Sequence, residues 1–136
     1  MRFMMIYKPA DTKDMEAGVP PTQDCIEAMD EFIGEMANSG VLLQTDGLLS
    51  TAKGARVRLD KGKVTVTDGP FTETKELIAG YAIVQLESIE EAIVLAQRFL
   101  EVAGDGESEI RQMYDAPAYV AESIHELGVP LTPPGA

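Results

Sequence analysis

Asp68, Glu73, Lys75 and Glu76 crowd into one ten-residue stretch, TDGPFTETKE (67–76), between two segments that read as β-strands. An acid and a lysine held on a stiff loop can transfer protons when their surroundings shift their pKa values. The residue types supply the stiffness. Asp68 suits the head of a turn, Gly69 can take positive φ, and Pro70 fixes φ near about −65°. The same three residues also suffice for a plain turn, and Lys75 can pair with a glutamate in a surface contact worth roughly 0 to 1 kcal/mol. Two readings therefore stand side by side: Asp68 as a general acid or base, or a structural turn with Glu73 facing water.

In the catalytic reading Lys75 or Arg111 holds an anionic group, and Tyr7 and Tyr81 line the pocket. Arg111 lies in an expected sheet strand, but Arg2, Arg56 and Arg58 serve equally well at the sheet ends, because alternation alone does not say which side faces inward. His125 is the only histidine. It falls near the end of an expected C-terminal helix, where a cation suits the helix dipole and a surface position suffices to explain it. No G-x-S-x-G, H-E-x-x-H, paired C-x-x-C or G-x-x-x-x-G-K-[ST] occurs, so serine hydrolase, zinc protease and P-loop chemistry lack their key residues. The acidic run DTKDMEAG (11–18) lacks the twelve-residue EF-hand pattern. We expect no metal and no cofactor.

Composition narrows the class further. The chain's 136 residues suit one domain, and 45% hydrophobic with 25% charged residues is enough for a packed core. A net charge of −12 repels phosphate backbones and anionic lipid heads, which argues against nucleic-acid and membrane-surface binding. Cys25 is the single cysteine, which excludes an intramolecular disulfide; its place among apolar positions of an expected helix predicts a small buried side chain. The opening MRFMMIYKPA has too short an apolar run for a signal peptide, and no segment approaches the roughly 18 apolar residues of a membrane span, so we expect a cytoplasmic protein.

The elements that must position these residues follow from periodicity. RFMMIYK (2–8) reads as a first strand closed by Pro9, and 9–21 as a long loop. Thr22 caps a helix whose Ile26, Met29, Ile33 and Met36 share a face, with Gly40 as its stop. GLLS (47–50) is a short extended candidate. ARVRLDKGKVTVTD (55–68) alternates apolar and polar residues around Asp60, Lys61 and Gly62 and reads as a hairpin. ELIAGYAIVQLES (76–88) is a longer strand. Ser88 and Glu91 form a capping-box signature ahead of a stripe of Ile89, Ala92, Ile93, Ala96, Phe99, Leu100 and Ala103, ended by Gly104. SEIRQMY (108–114) is the last strand, followed by a shorter helix from Pro117 to Leu127 and a proline-rich tail.

The order β, α, hairpin, β, α, β is that of a ferredoxin-like α+β sandwich, with both helices on one face of an antiparallel sheet. The other face is also apolar. Ala79, Tyr81 and Ile83 oppose Ile78, Gly80, Ala82 and Val84, and Met4 and Ile6 oppose Phe3, Met5 and Tyr7. Two helices cover only one face, and the remaining chain is too short for another layer. A second copy of the sheet is the natural cover, which predicts a homodimer with a barrel-like core.

TDGPFTETKELIAGY, together with the opening RFMMIYK, GVLLQTDGLLS and the closing SEIRQMY, resembles the YCII-related family in its DGPF branch. The resemblance covers residues 1–114, which we take as the domain, and leaves 115–136 as an extra C-terminal helix and tail. It implies a dimeric α+β barrel of ferredoxin-like protomers, similar to muconolactone-isomerase-like barrels. The wider family includes lyase-type enzymes that use a histidine and an aspartate in the cavity. Asp68 matches the motif aspartate, but the matched region contains no histidine. Members of the DGPF branch are often encoded near extracytoplasmic-function sigma factors. Two functions are thus expected: a lyase- or isomerase-type enzyme acting on a small organic molecule in the barrel cavity, or a non-catalytic dimer that binds a metabolite or protein partner in a regulatory role.

Overall fold

The computed structural model describes residues 1–71 and 76–115. Lys75, Glu73, His125 and the expected C-terminal helix lie outside the described residues. The ten described elements run β1 (Arg2–Pro9), α1 (Lys13–Glu16), α2 (Gln23–Asn38), β2 (Leu42–Gly47), a 3-10 turn (Thr51–Lys53), β3 (Ala55–Asp60), β4 (Lys63–Asp68), β5 (Gly80–Gln85), α3 (Ile89–Ala103) and β6 (Gly106–Gln112).

β1 and β5 are the two inner strands of the main sheet, each paired along both edges. β1 pairs antiparallel with β5 and with β6, and β2 pairs with β5, giving the four-stranded order β2-β5-β1-β6. This is the ferredoxin-like α+β arrangement expected from the element order. The β3–β4 hairpin forms a separate two-stranded sheet. Its turn holds Lys61 at φ 49° and Gly62 at φ 81°, the two positive values that a two-residue turn between right-twisted strands requires.

The helices close one face. Thr22 caps α2 by accepting a hydrogen bond from the Cys25 N–H at 3.3 Å, and Ser88 caps α3 through the Glu91 N–H at 3.2 Å. The Glu91 carboxylate in turn accepts from the N–H of Glu87 rather than from the cap residue itself. Phe3, Met5, Met36, Val84, Ala92, Leu95 and Ala96 form the buried core between the sheet and helices α2 and α3. Phe3 is wholly buried and Val84 nearly so.

Four expectations are corrected. The region 9–21 is not a featureless loop: Lys13–Glu16 make one helical turn, started by Asp11, whose carboxylate accepts from the Lys13 N–H at 3.0 Å. The second strand is Leu42–Gly47, ahead of GLLS, because Thr45 and Asp46 register against Ala82 and Tyr81 while residues after Gly47 leave the ladder. The strand within 76–88 is restricted to Gly80–Gln85, the span that partners β1. Cys25 is exposed, not buried. It lies in the first turn of α2, one helical turn ahead of Met29, at an end of the helix where even Ile26 is 37% exposed.

Candidate functional site

Two places gather polar side chains against apolar surface. The first begins with glycine. Gly47 and Gly80 sit opposite each other in the β2–β5 ladder, and neither carries a side chain that could fill the space towards the helices. Met29 and Ile33 of α2, Phe99 of α3, and Met5, Tyr7, Thr45, Ala82 and Ser108 of the sheet surround the gap. It measures about 220 Å³ and continues inward as a smaller space of about 50 Å³ between Met36, Leu42 and Leu95.

Tyr7 is the polar group best placed in this cavity. Its ring meets Phe99 edge-on at 5.1 Å between centroids, a packing that fixes its direction. Its hydroxyl stands 3.5, 3.3 and 3.4 Å from the carbonyls of Ala103, Gly104 and Asp105, where one proton can serve only one acceptor at a time. Gly106 permits this placement, since a Cβ there would lie 2.9 Å from the Tyr7 ring and 2.6 Å from the Lys8 carbonyl. Burial, reinforced by the charge of Asp105, raises the Tyr7 pKa above that of a free phenol, so the group stays a neutral donor and acceptor. Thr45 and Ser108 add hydroxyls, and the Thr45 hydroxyl already donates to the Tyr81 carbonyl at 2.9 Å.

Tyr81 and Asp46 border the cavity, but strand alternation turns their side chains to the opposite, open face. There Gln44 donates to the Tyr81 hydroxyl at 2.9 Å and the hydroxyl approaches an Asp46 carboxylate oxygen at 3.2 Å. Burial is the first cause that raises the Tyr81 pKa, and Asp46 adds to it. Lys8 projects from the same face and bridges Glu109 at 3.1 Å and Glu76 at 3.3 Å. Hydrogen bonding to Glu109 leads the causes that raise the lysine pKa, and the same contact leads those that lower the pKa of Glu109. Arg111 sits at the edge of this cluster, 3.4 Å from Glu109 and largely exposed.

The second place is the turn that opened the sequence reading. Gly69 is packed against backbone: a Cβ there would fall 1.6 Å from the Thr51 carbonyl oxygen. Its N–H donates to the Gly54 carbonyl at 3.0 Å, the Phe71 N–H donates to the Thr51 hydroxyl at 3.0 Å, and the Arg56 guanidinium lies 3.9 Å over the Phe71 ring. Thr51 itself is held by Glu16, whose carboxylate accepts from both its N–H and its hydroxyl. One glutamate on a single helical turn thereby anchors the loop that anchors Phe71.

Those two hydrogen bonds, the hydroxyl's first, pull the Glu16 pKa below the usual carboxylate range. A depressed folded-state pKa means stabilisation present above the unfolded-state value and lost as pH falls through the folded one. Wild-type protein should therefore lose thermal stability on acidification below the ordinary glutamate range, and Glu16→Gln should show a lower Tm at neutral pH with a flatter acid decline. Tm measured across that range in the two proteins checks this; parallel curves would remove Glu16 from the account.

The structure thus brings Tyr7 and Tyr81 to one cavity's border and keeps Asp68 and Arg111 away from it. Asp68 is exposed at the end of β4 and does not line the cavity. Among the described residues no group of three or more His, Cys, Asp or Glu side chains is arranged to hold a metal ion, and no helix is long and apolar enough to cross a membrane. Sequence reasoning missed Glu16, Thr51, Lys8, Thr45 and Ser108. Only Lys8 carried a usable signal, as a cation closing an apolar strand.

Comparison with known proteins joins these features to a lineage. The family model for the YCII-related domain matches residues 1–116, covering every described strand and helix. The chain belongs to the YCII-related domain family. An uncharacterised protein of Rhizobium meliloti (strain 1021) is 38% identical over 50 residues, a stretch that is 37% of this chain and 40% of the relative. The aligned stretch thus spans about two fifths of the relative's length. Within the YCII-related domain, the Tyr7 cavity and the Gly69 turn are separate constructions: one leaves room, and the other leaves none.

Proposed function

We propose that this YCII-related protein, of the DGPF branch, is a dimeric binding protein for a small and mostly apolar molecule carrying one hydroxyl or carbonyl group. The observation that carries this reading is the Tyr7 cavity, with its methionine, isoleucine and phenylalanine walls and a neutral phenol as its directional group. An apolar cavity of about 150 Å³ is enough to hold a benzene ring. One of 220 Å³ accommodates a substituted ring or a short branched chain. Pockets of this make-up, apolar with a few oriented polar groups, are the usual form of ligand sites.

The binding reading is favoured over the lyase or isomerase alternative because Asp68, the residue that alternative needs as acid or base, is exposed and outside the cavity wall. Asp68 serves better as the head of a turn whose glycine and phenylalanine are tied to Thr51. The homodimer part of the proposal rests on the sheet face away from the helices, where Met4, Ile6 and Ile83 are only partly covered. Two such faces together would make the barrel. The cytoplasm is the setting we assign, with residues 115–136 appended to the domain.

A thermal-shift screen of phenols and small organic acids tests the cavity. A ligand at a hundred times its dissociation constant should stabilise the protein by about 2.7 kcal/mol. Ala82→Leu places extra methyl groups in the space and should abolish the shift while keeping the fold, and Tyr7→Phe should weaken it for hydroxylated ligands most. Hits that survive Ala82→Leu and vanish in Asp68→Asn would move the site to the turn and revive the catalytic alternative.

A further inference from the structure

The three hydroxyls that line the Tyr7 cavity on its sheet side are not equivalent, because two of their protons are already committed. The Tyr7 hydroxyl sits among the carbonyls of Ala103, Gly104 and Asp105, at 3.5, 3.3 and 3.4 Å. Turning its proton towards a guest would leave three carbonyl oxygens facing phenol lone pairs, so the proton stays and the guest meets a lone pair. Thr45 repeats the arrangement: its hydroxyl donates to the Tyr81 carbonyl at 2.9 Å and keeps only acceptor capacity for the cavity. Backbone donors along the same wall are spent as well. The Ala79 N–H donates to the Tyr7 carbonyl at 2.9 Å, and the Leu48 N–H donates to the Ala79 carbonyl at 2.8 Å. Ser108, opposite Tyr7 in the β1–β6 ladder, has a hydroxyl that can rotate to either role.

Charge points the same way. Ala103 ends α3, so the carbonyls at this corner carry the negative end of the helix dipole. Asp105 adds its charge beside Tyr7, and no lysine or arginine is among the described residues that line the cavity. A carboxylate guest would give up its hydration to a wall with nothing positive to receive it.

We infer that the cavity selects a neutral hydrogen-bond donor, an alcohol or a phenol, over the carbonyl compound or carboxylate of the same shape. The guest's O–H would donate to Tyr7 or Thr45 while its oxygen accepts from Ser108. An aldehyde could use Ser108 alone and would set its lone pairs against those of the other two hydroxyls. The inference rests on the binding reading above and names the chemical class within it.

Benzyl alcohol, benzaldehyde, benzoate and toluene share one ring and differ in the polar group. Thermal shifts of the full chain at rising concentrations of each give their dissociation constants. Benzyl alcohol should bind about tenfold tighter than benzaldehyde, the effect of one neutral hydrogen bond, and benzoate should bind weakest. Tyr7→Phe and Thr45→Val each remove one acceptor, and at least one of them should bring benzyl alcohol down to the level of toluene; Thr45→Val serves alone where Tyr7→Phe does not fold. Benzaldehyde or benzoate binding as tightly as benzyl alcohol would overturn the donor preference and leave the apolar cavity standing. An alcohol advantage kept whole in every folded variant would do the same. No shift with any of the four, or a toluene shift that survives Ala82→Leu, would overturn the binding reading and the preference with it.

Discussion

Gly69→Ala should destabilise the protein by about 3 kcal/mol or more, a loss usually seen only for core or backbone defects. The added methyl would fall 1.6 Å from the Thr51 carbonyl oxygen and 2.5 Å from its carbonyl carbon. Backbone is the obstacle, so no side-chain rotation relieves the overlap; either the turn or the Thr51–Lys53 segment must move. Movement would break the Gly69 N–H to Gly54 bond and the Phe71 N–H to Thr51 bond together. Gly54→Ala is the matched control, because a Cβ there meets the same Thr51 oxygen at an ordinary 3.6 Å. Urea denaturation of the two variants checks the contrast. Equal midpoints would mean that the turn yields freely and that the Gly69 contact stabilises nothing.

Phe3→Ala should cost about 3 to 5 kcal/mol, the range for removing a buried aromatic side chain. Phe3 is 0% exposed, on the central strand, within the cluster that joins β1 and β5 to α2 and α3. The cavity left behind would sit among core residues already flanked by the space beside Met36 and Leu95, so collapse onto it has little to draw on. Leu59→Ala removes nearly as much apolar surface from a side chain that is 71% exposed in the protomer. Within one protomer it should cost within about 0.5 kcal/mol, as surface changes do.

How much of this was legible beforehand depends on range in the chain. Helices α2 and α3 could be read because Ile33, Met36, Ala92 and Ala96 recur on a local period that caps at Thr22 and Ser88 enclose. The hairpin could be read because Lys61 and Gly62 announce their turn. Strand β2 was displaced in the reading because its Gln44, Thr45 and Asp46 look polar, and only pairing with β5 reveals that Thr45 faces the helices. The cavity was half legible: Tyr7 and Tyr81 stood out on apolar strands, whereas Ser108, Thr45 and Phe99 join them only when three elements pack. The Glu16–Thr51 contact spans 35 positions with no pattern at either end, and only the folded chain brings it together.

The sheet's two outer strands differ in how they meet solvent. β2 breaks step with β5 between Leu42 and Gln44, so Leu43 is an extra residue outside the ladder, 52% exposed. Such a bulge bends and twists the strand and spoils the straight row of backbone donors and acceptors that another strand would need. β6 defends itself by charge, with Glu107, Glu109 and Arg111 along its length. Neither edge is a template for a fifth strand. Concentrated protein should therefore resist growing into fibrils through its sheet edges, and straightening β2 by deleting Leu43 would expose the weakness that the irregularity conceals.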